Sequence, residues 1–294
     1  MLIDAHQHFW QVGRFDYPWM SPDIEVLYQD YLPSQLEPVL NQNCIVQSML
    51  VQASNSYDET YWLLSLAESH PIVAGVVGWV NLEDPEMERE LETLAANPKF
   101  KGVRHLVESE TNDDWLVQAS VLNGLRVLEK HGVSYDLLVH TRHLKHVKTI
   151  AEACPNLSLV IDHMAKPPIA SREITPWADA LNEVAAYPNV SCKLSGLVTE
   201  ANWSSWTIED LRPYVARALE FFGPKRMMFG SDWPVCLLAA SYNRVLESFQ
   251  LLLADLPEED RNRIFGGNAI EFYKLGVAGA VAQVEPSFHA ERSH

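Results

Sequence analysis

Short, unbroken runs of apolar residues recur along the chain and alternate with amphipathic stretches. The runs have the length of single strands, and they are typical of strands that are buried on both faces of a parallel sheet. There are eight such runs, at residues 2–9, 44–52, 72–82, 100–107, 133–140, 157–167, 189–198 and 226–235. The pattern therefore predicts eight parallel strands.

The stretches between the runs have apolar residues at helical spacing and recognisable helix ends. Asp84 suits a helix N-cap, and Pro98 follows the end of the same stretch. Gly132 suits the C-cap of another. Eight strands that alternate with helices predict an α/β fold, a single distorted (β/α)8 TIM barrel. A doubly wound open sheet is the alternative, but no G-x-G-x-x-G follows the first strand.

Two regions depart from this alternation. Residues 9–32 are rich in aromatic side chains and have no clear period. Because they follow the first strand, we expect them to form a lid or a substrate wall over the carboxyl end of the barrel. Residues 256–275 have the pattern of a terminal helix pair. We place the barrel at residues 1–277 and a loosely held C-terminal tail at 278–294.

The charge of the chain narrows the range of partners. A formal charge of −17, from 22 basic and 39 acidic residues, repels nucleic-acid phosphates and anionic lipid. We therefore expect no nucleic acid and no membrane as partners, and favour a small-molecule substrate. Four dispersed cysteines and the lack of a signal segment or long apolar stretch indicate a reduced, cytoplasmic protein. A homo-oligomer is compatible with the sequence.

Polar side chains collect where the predicted strands end. They are His6, His8, Arg104, His105, Glu108, His140, His163, Lys166, Lys193 and Asp232. In a barrel, the carboxyl ends of the strands surround one opening, and reactive groups come from these ends and the loops beyond them. The clustering therefore predicts an active site at this opening.

His6 and His8 are two residues apart on the first strand, so both side chains project to the same face. Two imidazoles that converge can form half of a metal site or bind a substrate together. Asp232 follows the eighth strand, which meets the first strand when the barrel closes. A partly desolvated carboxylate there suits a general base that takes a proton from water, or a metal ligand.

The sixth strand ends in another histidine. His163 shares a strand face with Ile161, whereas Asp162 points the other way. A neutral histidine at the opening of the barrel can bind a metal or polarise a carbonyl group. Lys166 follows, as a substrate ligand or as a solvated side chain.

The register of the fourth strand leaves two alternatives. Arg104 shares a face with Glu108, whereas His105 faces the other way unless a bulge intervenes. Arg104 would bind an anionic or polyhydroxyl substrate, and Glu108 would join a metal or hold Arg104. Lys193 lies within a strand, where an unpaired ammonium group is unfavourable. It therefore faces the pocket or lies outside the barrel under a helix.

Several motifs occur together in one order: "DAHQHFW", "GVRH", "DHMAKP", "KLSGL", "MFGSDWPV" and "IFGGNAIEFYKL". In this order they resemble the amidohydrolase superfamily, in its sugar-lactonase branch, from residue 2 to about 275. The chain is similar to L-fuconolactone and L-rhamnonolactone hydrolases and, more distantly, to 2-pyrone-4,6-dicarboxylate lactonases. The resemblance implies a distorted (β/α)8 barrel and lactone hydrolysis. The implied site residues are His6, His8, His163 and Asp232.

The resemblance also bears on the metal content. No lysine follows the fourth strand in the setting expected for the carboxylated bridge of two-metal family members, so we do not expect a binuclear centre. One divalent cation, zinc, is compatible with the site but is not required. Its candidate ligands are His6, His8, Glu108 and Asp232.

The expected reaction opens an aldonolactone such as L-fucono-1,5-lactone to the aldonic acid. Histidines or one divalent cation would polarise the carbonyl group. Asp232 would take a proton from the attacking water and pass it to the ring oxygen. The expected substrate-binding residues are Arg104, His105, Lys166, Trp10 and Trp19.

Three other functions stay open at this point. A hydrolase of carboxylated lactones or pyrones would need more than one arginine in the pocket. A decarboxylase of the same superfamily would need a metal that binds the substrate carboxylate. A barrel that binds sugars without turning them over would contain the same pocket but have no catalytic activity.

Overall fold

Eight parallel strands, each hydrogen-bonded to the next in chain order, form the central sheet. The computed structural model describes residues 1–276, so the predicted tail at 278–294 lies outside the described residues. The strands are β1 (Leu2–Gln7), β2 (Ile45–Val51), β3 (Val73–Gly78), β4 (Phe100–His105), β5 (Ser134–Leu137), β6 (Leu159–Ile161), β7 (Val190–Leu194) and β8 (Met227–Phe229). Every one of the eight predicted runs contains one strand.

The barrel closes where the segment after β8 meets β1. The backbone N–H of Asp232 donates to the carbonyl oxygen of His6 at 2.8 Å, and that of His8 donates to the carbonyl oxygen of Trp233 at 2.7 Å. The predicted (β/α)8 barrel is therefore confirmed. Because the closing bonds involve Asp232 and both histidines, barrel closure itself places these residues side by side.

Helices follow the strands and pack on the outside of the barrel. They are α1 (Pro33–Gln42), α2 (Tyr57–Ser69), α3 (Met87–Ala95), α4 (Ala119–His131), α5 (Leu144–Ala153), α6 (Thr175–Ala185), α7 (Leu197–Glu200), α8 (Ile208–Phe222), α9 (Tyr242–Leu252), α10 (Glu258–Asn262) and α11 (Asn268–Phe272). The short helices α10 and α11 confirm the predicted terminal pair. Within residues 1–276, no helix has both the length and the apolar character needed to cross a bilayer.

Apolar side chains fill two separate regions. The larger cluster lies between the strands and the surrounding helices. The smaller one combines alternate strand residues with residues of the C-terminal segment, namely Ile3, Ala5, Met49, Val51, Val77, Val160, Met228, Ala269, Tyr273 and Leu275. Tyr273 also reaches the buried Asp136 of β5 with its hydroxyl group, at 2.7 Å. The C-terminal segment therefore packs against the inner face of the strands.

Candidate active site

A cavity of about 300 Å³ lies at the carboxyl end of the barrel. Of the residues that the sequence resemblance implies, His8, His163 and Asp232 line it directly. His6 is fully buried and lies in contact with these three residues. The structure therefore brings together all four implied site residues.

His6 and His8 converge as the two-residue spacing predicts. Their Nε2 atoms are 3.2 Å apart, and the ring centroids are separated by 4.9 Å. The pairing register of β1 with β2 shifts between Asp4 and Gln7. The side chains of this segment therefore do not simply alternate between the two faces of the sheet, but the His6 and His8 rings still converge.

A backbone contact determines which nitrogen of His8 is available. Its Nδ1 lies 2.8 Å from the carbonyl oxygen of Val51. A carbonyl oxygen can only accept a hydrogen bond, so Nδ1 carries the proton and donates it. In the neutral ring, the lone pair of His8 is then on Nε2, 3.4 Å from Oδ1 of Asp232. This is the orientation that a metal-binding histidine usually has.

Asp232 lies at the centre of the three histidines. Its Oδ1 is 3.4 Å from Nε2 of His8, 3.7 Å from Nε2 of His6 and 3.9 Å from Nε2 of His163. Burial alone would raise the pKa of the Asp232 carboxyl group, but the three histidines hold this pKa well below its usual range. The carboxylate is therefore ionised at neutral pH, the state in which it can accept a proton.

His163 reaches the cavity through an unusual turn. Four consecutive residues without a glycine, 163–166, have φ between 52° and 59°, in the left-handed region. L-residues visit this region at a cost of roughly 1–2 kcal/mol each, and such strain concentrates at functional sites. Ile161 packs in the cluster under the helices. If the strand alternation continued past Ile161, His163 would also point toward the helices. The left-handed turn at 163–166 is therefore what directs the His163 ring to the cavity.

The segment after β7 supports the ring of His163. The hydroxyl oxygen of Ser195 lies 2.9 Å from its Nδ1. Gly196, with φ +65°, packs directly against the imidazole, since a Cβ at this position would lie 2.5 Å from Nδ1 and 2.6 Å from Cγ. Only glycine allows both this backbone conformation and this close approach. Burial lowers the pKa of His163, so the ring is neutral near pH 7.

A network of buried charges lies beneath the histidines. Lys193 Nζ is 2.5 Å from Oδ2 of Asp136, 3.0 Å from Oδ1 of Asp162 and 3.1 Å from Nδ1 of His6. Arg104 Nη1 is 3.1 Å from the other carboxylate oxygen of Asp162. Lys193, Asp136 and Asp162 are fully buried. Of the two alternatives for Lys193, the inward one is correct, and Asp162 faces the opposite way from Ile161, as strand alternation predicts.

The fourth strand has the register in which Arg104 faces inward. The guanidinium group of Arg104 contacts Gln52, Asp162 and His6. His105 faces the other way and stacks on Trp115, with 3.9 Å between ring centroids. The structure therefore does not bring His105, an expected substrate ligand, to the cavity.

The two expected stacking residues have different environments. Trp10 is fully buried, donates from Nε1 to the carbonyl oxygen of Gln29 at 2.8 Å, and packs behind Trp19. Trp19 donates to the carbonyl oxygen of Ala53 at 2.7 Å and lines the cavity. Part of the 9–32 loop therefore forms a wall, as predicted, but Trp10 supports this wall from behind and does not line it.

Glu108 and Lys166 form an ion pair at the side of the cavity. His140 Nε2 lies 3.5 Å from the same carboxylate oxygen. Burial by itself raises the pKa of Glu108, but His140 and Lys166 outweigh it and lower this pKa to about 2. Among the described residues, three clusters of donor atoms could hold an ion, namely His6, His8 and Asp232; His6, Asp162 and His163; and Glu88, Glu92 and His131, and none of them includes Glu108. The structure therefore does not place Glu108 among the candidate metal ligands.

Several residues of the site escape sequence-based reasoning. Asp136 carries charge within β5, and Asp162 carries charge directly after β6. The sequence contains this signal, but it has no interpretation until the partners on other strands are known. Ser195 and Gly196 act on His163 from a neighbouring segment. Glu200 lines the cavity from α7, and nothing in its sequence context distinguishes it from other helix-end glutamates.

Comparison with known proteins identifies the family of this chain. The amidohydrolase family matches residues 3–275. The chain belongs to this family. An L-fucono-1,5-lactonase from Burkholderia ambifaria is 38% identical over 277 residues, which cover 93% of this chain and 95% of that protein. One from Burkholderia multivorans is 39% identical over 286 residues, covering 94% and 96%.

The fold of this amidohydrolase also matches that of a solved structure. The crystal structure of an amidohydrolase from Burkholderia multivorans with bound zinc superposes with a TM-score of 0.89 at 38% identity, and covers 94% of this chain and 100% of that one. The resemblance that the ordered motifs indicate is therefore confirmed.

Proposed function

We propose that this amidohydrolase is a lactonase that hydrolyses a neutral sugar lactone, of the L-fucono-1,5-lactone type, to the aldonic acid. The observation that carries the proposal is the convergence of one ionised carboxylate and three imidazoles at the inner end of a half-open cavity. The similarity to two L-fucono-1,5-lactonases supports the same reaction.

Asp232 would transfer the proton, and His163 would stabilise the charge that develops on the carbonyl oxygen. The Asp232 carboxylate takes a proton from a water molecule as the water oxygen bonds to the lactone carbonyl carbon. The bond from this carbon to the ring oxygen then breaks, and the ring oxygen receives the proton. The hydroxyl group of Ser195 can donate to Nδ1 of His163, which leaves the proton on Nε2. From there, His163 can donate a hydrogen bond to the carbonyl oxygen as negative charge develops.

His6, His8 and Asp232 fit one divalent cation. Zinc bonds of about 2.0–2.2 Å in tetrahedral geometry place neighbouring ligand atoms about 3.4 Å apart. The three donor separations are 3.2, 3.4 and 3.7 Å. Three protein ligands with one open position are typical of catalytic zinc. We propose that zinc binds here, where it would supply polarisation of the lactone carbonyl group.

The polar groups that line the cavity favour a neutral substrate. Among the described residues that line it, Arg104 is the single arginine, and its guanidinium group already contacts Asp162 and Gln52. Lys166 is paired with Glu108. A carboxylated lactone or pyrone would therefore meet no uncommitted cationic side chain to bind its carboxylates, so we favour a neutral lactone over this alternative.

A substrate panel tests the proposed function and its metal dependence together. We expect the purified protein to release acid from neutral L- and D-aldonolactones, and not from pyrone dicarboxylates, in a pH-indicator assay. A chelator should lower the rate, and added zinc should restore it. Turnover of acidic pyrones, CO₂ release from aromatic acids, or binding of aldonolactones without turnover would each contradict the proposal. A rate that does not change when chelator is added would contradict the proposed role of zinc.

Gly196 offers a test of how His163 is held. We expect Gly196→Ala to lower kcat/KM for lactone hydrolysis roughly 100-fold, because the new Cβ displaces the imidazole. Gly132→Ala is the matched control, since Gly132 has the same left-handed conformation (φ 65°, ψ 28°) and an added Cβ there would meet only Nζ of Lys274, at an ordinary contact distance of 3.6 Å. Melting temperatures separate the shared backbone strain from the effect on the site. Equal activity in the two variants would show that the Gly196 contact does not position His163.

A further inference from the structure

The cavity has two chemically different sides. The apolar side comes from the loops after β1 and β8, which are neighbours in the closed barrel, and comprises Met20, Ile24, Leu27, Val235 and Leu238. The polar side comes from the segments after β4, β6 and β7 and carries Glu108, Lys166 and Glu200, with Leu106, Leu138 and Trp203 lining the cavity beside them. Strand order fixes the positions of these segments around the opening. The two sides therefore face each other across the cavity.

The ion pair of the polar side is already organised before any substrate binds. The Lys166 and Glu108 side chains are only 18% and 28% exposed, so little side-chain freedom remains to be lost. An ammonium group has three protons and a carboxylate has about four lone-pair positions, so the pair retains unused donors and acceptors. Hydroxyl groups can use both kinds, since they donate and accept.

Glu200 differs from Glu108 because its carboxylate lacks a partner. Within residues 1–276, no side chain or backbone group forms a hydrogen bond or an ion pair with this carboxylate, which lines the cavity. Burial raises the pKa of Glu200, while Lys166 and His140 oppose the shift. A partly buried acceptor without a partner is unfavourable until a donor reaches it. A neutral hydroxyl group would satisfy it, whereas an anionic substrate group would be repelled.

We propose that Glu200, together with the Lys166–Glu108 pair, determines the substrate specificity of this site by binding ring hydroxyl groups of the lactone. The inference rests on the proposed function. The carbonyl group is directed toward Asp232 and His163, the hydroxyl groups lie against the polar side, and a C–H-rich edge of the ring lies against the apolar side. Lactones are then distinguished by hydroxyl groups that are remote from the bond that breaks.

The experiment compares two lactones of equal ring size, L-fucono-1,5-lactone and δ-valerolactone, which has no hydroxyl groups. For each enzyme, the ratio of the two kcat/KM values measures recognition of the hydroxyl groups. We expect this ratio to fall roughly 10- to 100-fold in Glu200→Leu, as expected when a hydrogen bond to a charged group is lost. Glu200→Gln keeps one acceptor and should give an intermediate ratio. Glu37→Leu, an exposed change on α1, is the matched control and should keep the wild-type ratio.

The outcomes separate this inference from the proposed function. If the wild-type protein opens neither lactone, the proposed function fails. A second outcome is that the wild-type protein opens the sugar lactone, but the Glu200 variants keep the wild-type ratio or lose activity equally on both lactones. In that case Glu200 does not recognise the hydroxyl groups, and only this inference fails. If Glu200→Leu does not fold, the nearly isosteric Glu200→Gln gives the deciding ratio.

Discussion

Asp232→Asn is expected to lower kcat/KM for lactone hydrolysis by roughly 10²- to 10⁴-fold, the usual contribution of a general base. Asparagine has nearly the shape of aspartate, but its amide cannot take a proton from water. Asp232 has φ +59°, and asparagine is one of the few residues that tolerate this conformation. The backbone bond from residue 232 to His6 should therefore persist, and the melting temperature should stay near that of the wild type.

Two measurements separate loss of the base from loss of the fold. Asp255→Asn, an exposed change of the same chemistry, should keep wild-type kinetics. The residual rate of Asp232→Asn should rise with hydroxide concentration, because hydroxide needs no base to attack the carbonyl group. Near-native turnover of Asp232→Asn at neutral pH would show that another group activates the water.

The barrel could be predicted from sequence because its signal is local. A strand that is buried on both faces is predominantly apolar, so eight apolar runs imply eight strands without knowledge of their partners. His6, His8 and Asp232 could be predicted for a related reason. Residues at strand ends meet at one opening in any closed parallel barrel, and the closing bonds join 232 to 6 and 8 to 233.

Residues that depend on distant partners could not be predicted in the same way. Strand alternation gives the correct orientation for Asp162 but the wrong one for His163, because the left-handed turn at 163–166 breaks the period. Trp10 and Trp19 belong to one aperiodic loop, and only its fold decides which ring lines the cavity. The environment of Lys193 depends on residues of three other strands.

Lys193→Met is expected to lower the free energy of unfolding by about 3–5 kcal/mol, because removing one partner leaves buried charges uncompensated. Its ammonium group lies 2.5 Å from Asp136 and 3.0 Å from Asp162, and all three side chains are fully buried. Since small domains are stable by only about 5–15 kcal/mol, this loss is large. Urea unfolding measures it, and Lys225→Met, at an exposed position, is the matched control.

The pH dependence of this loss has a definite sign. Burial raises the pKa of Asp136 to about 6, although Lys193 opposes this shift. Because Lys193→Met removes the opposing charge, the pKa of Asp136 should be higher still in this variant. A carboxyl group whose pKa is raised in the folded state destabilises the fold as pH rises, because the buried group must then ionise. The difference in unfolding free energy between wild type and Lys193→Met should therefore be larger at pH 8 than at pH 5.

A second variant keeps this prediction testable if Lys193→Met alone does not fold. Lys193→Met combined with Asp136→Asn removes one of the charges that the single change leaves unpaired, while the new amide oxygen can still accept from the hydroxyl group of Tyr273. We expect the double variant to be more stable than Lys193→Met at pH 8. If the single variant is as stable as the wild type at both pH values, the ammonium group does not compensate the buried carboxylates, and the network does not stabilise the fold.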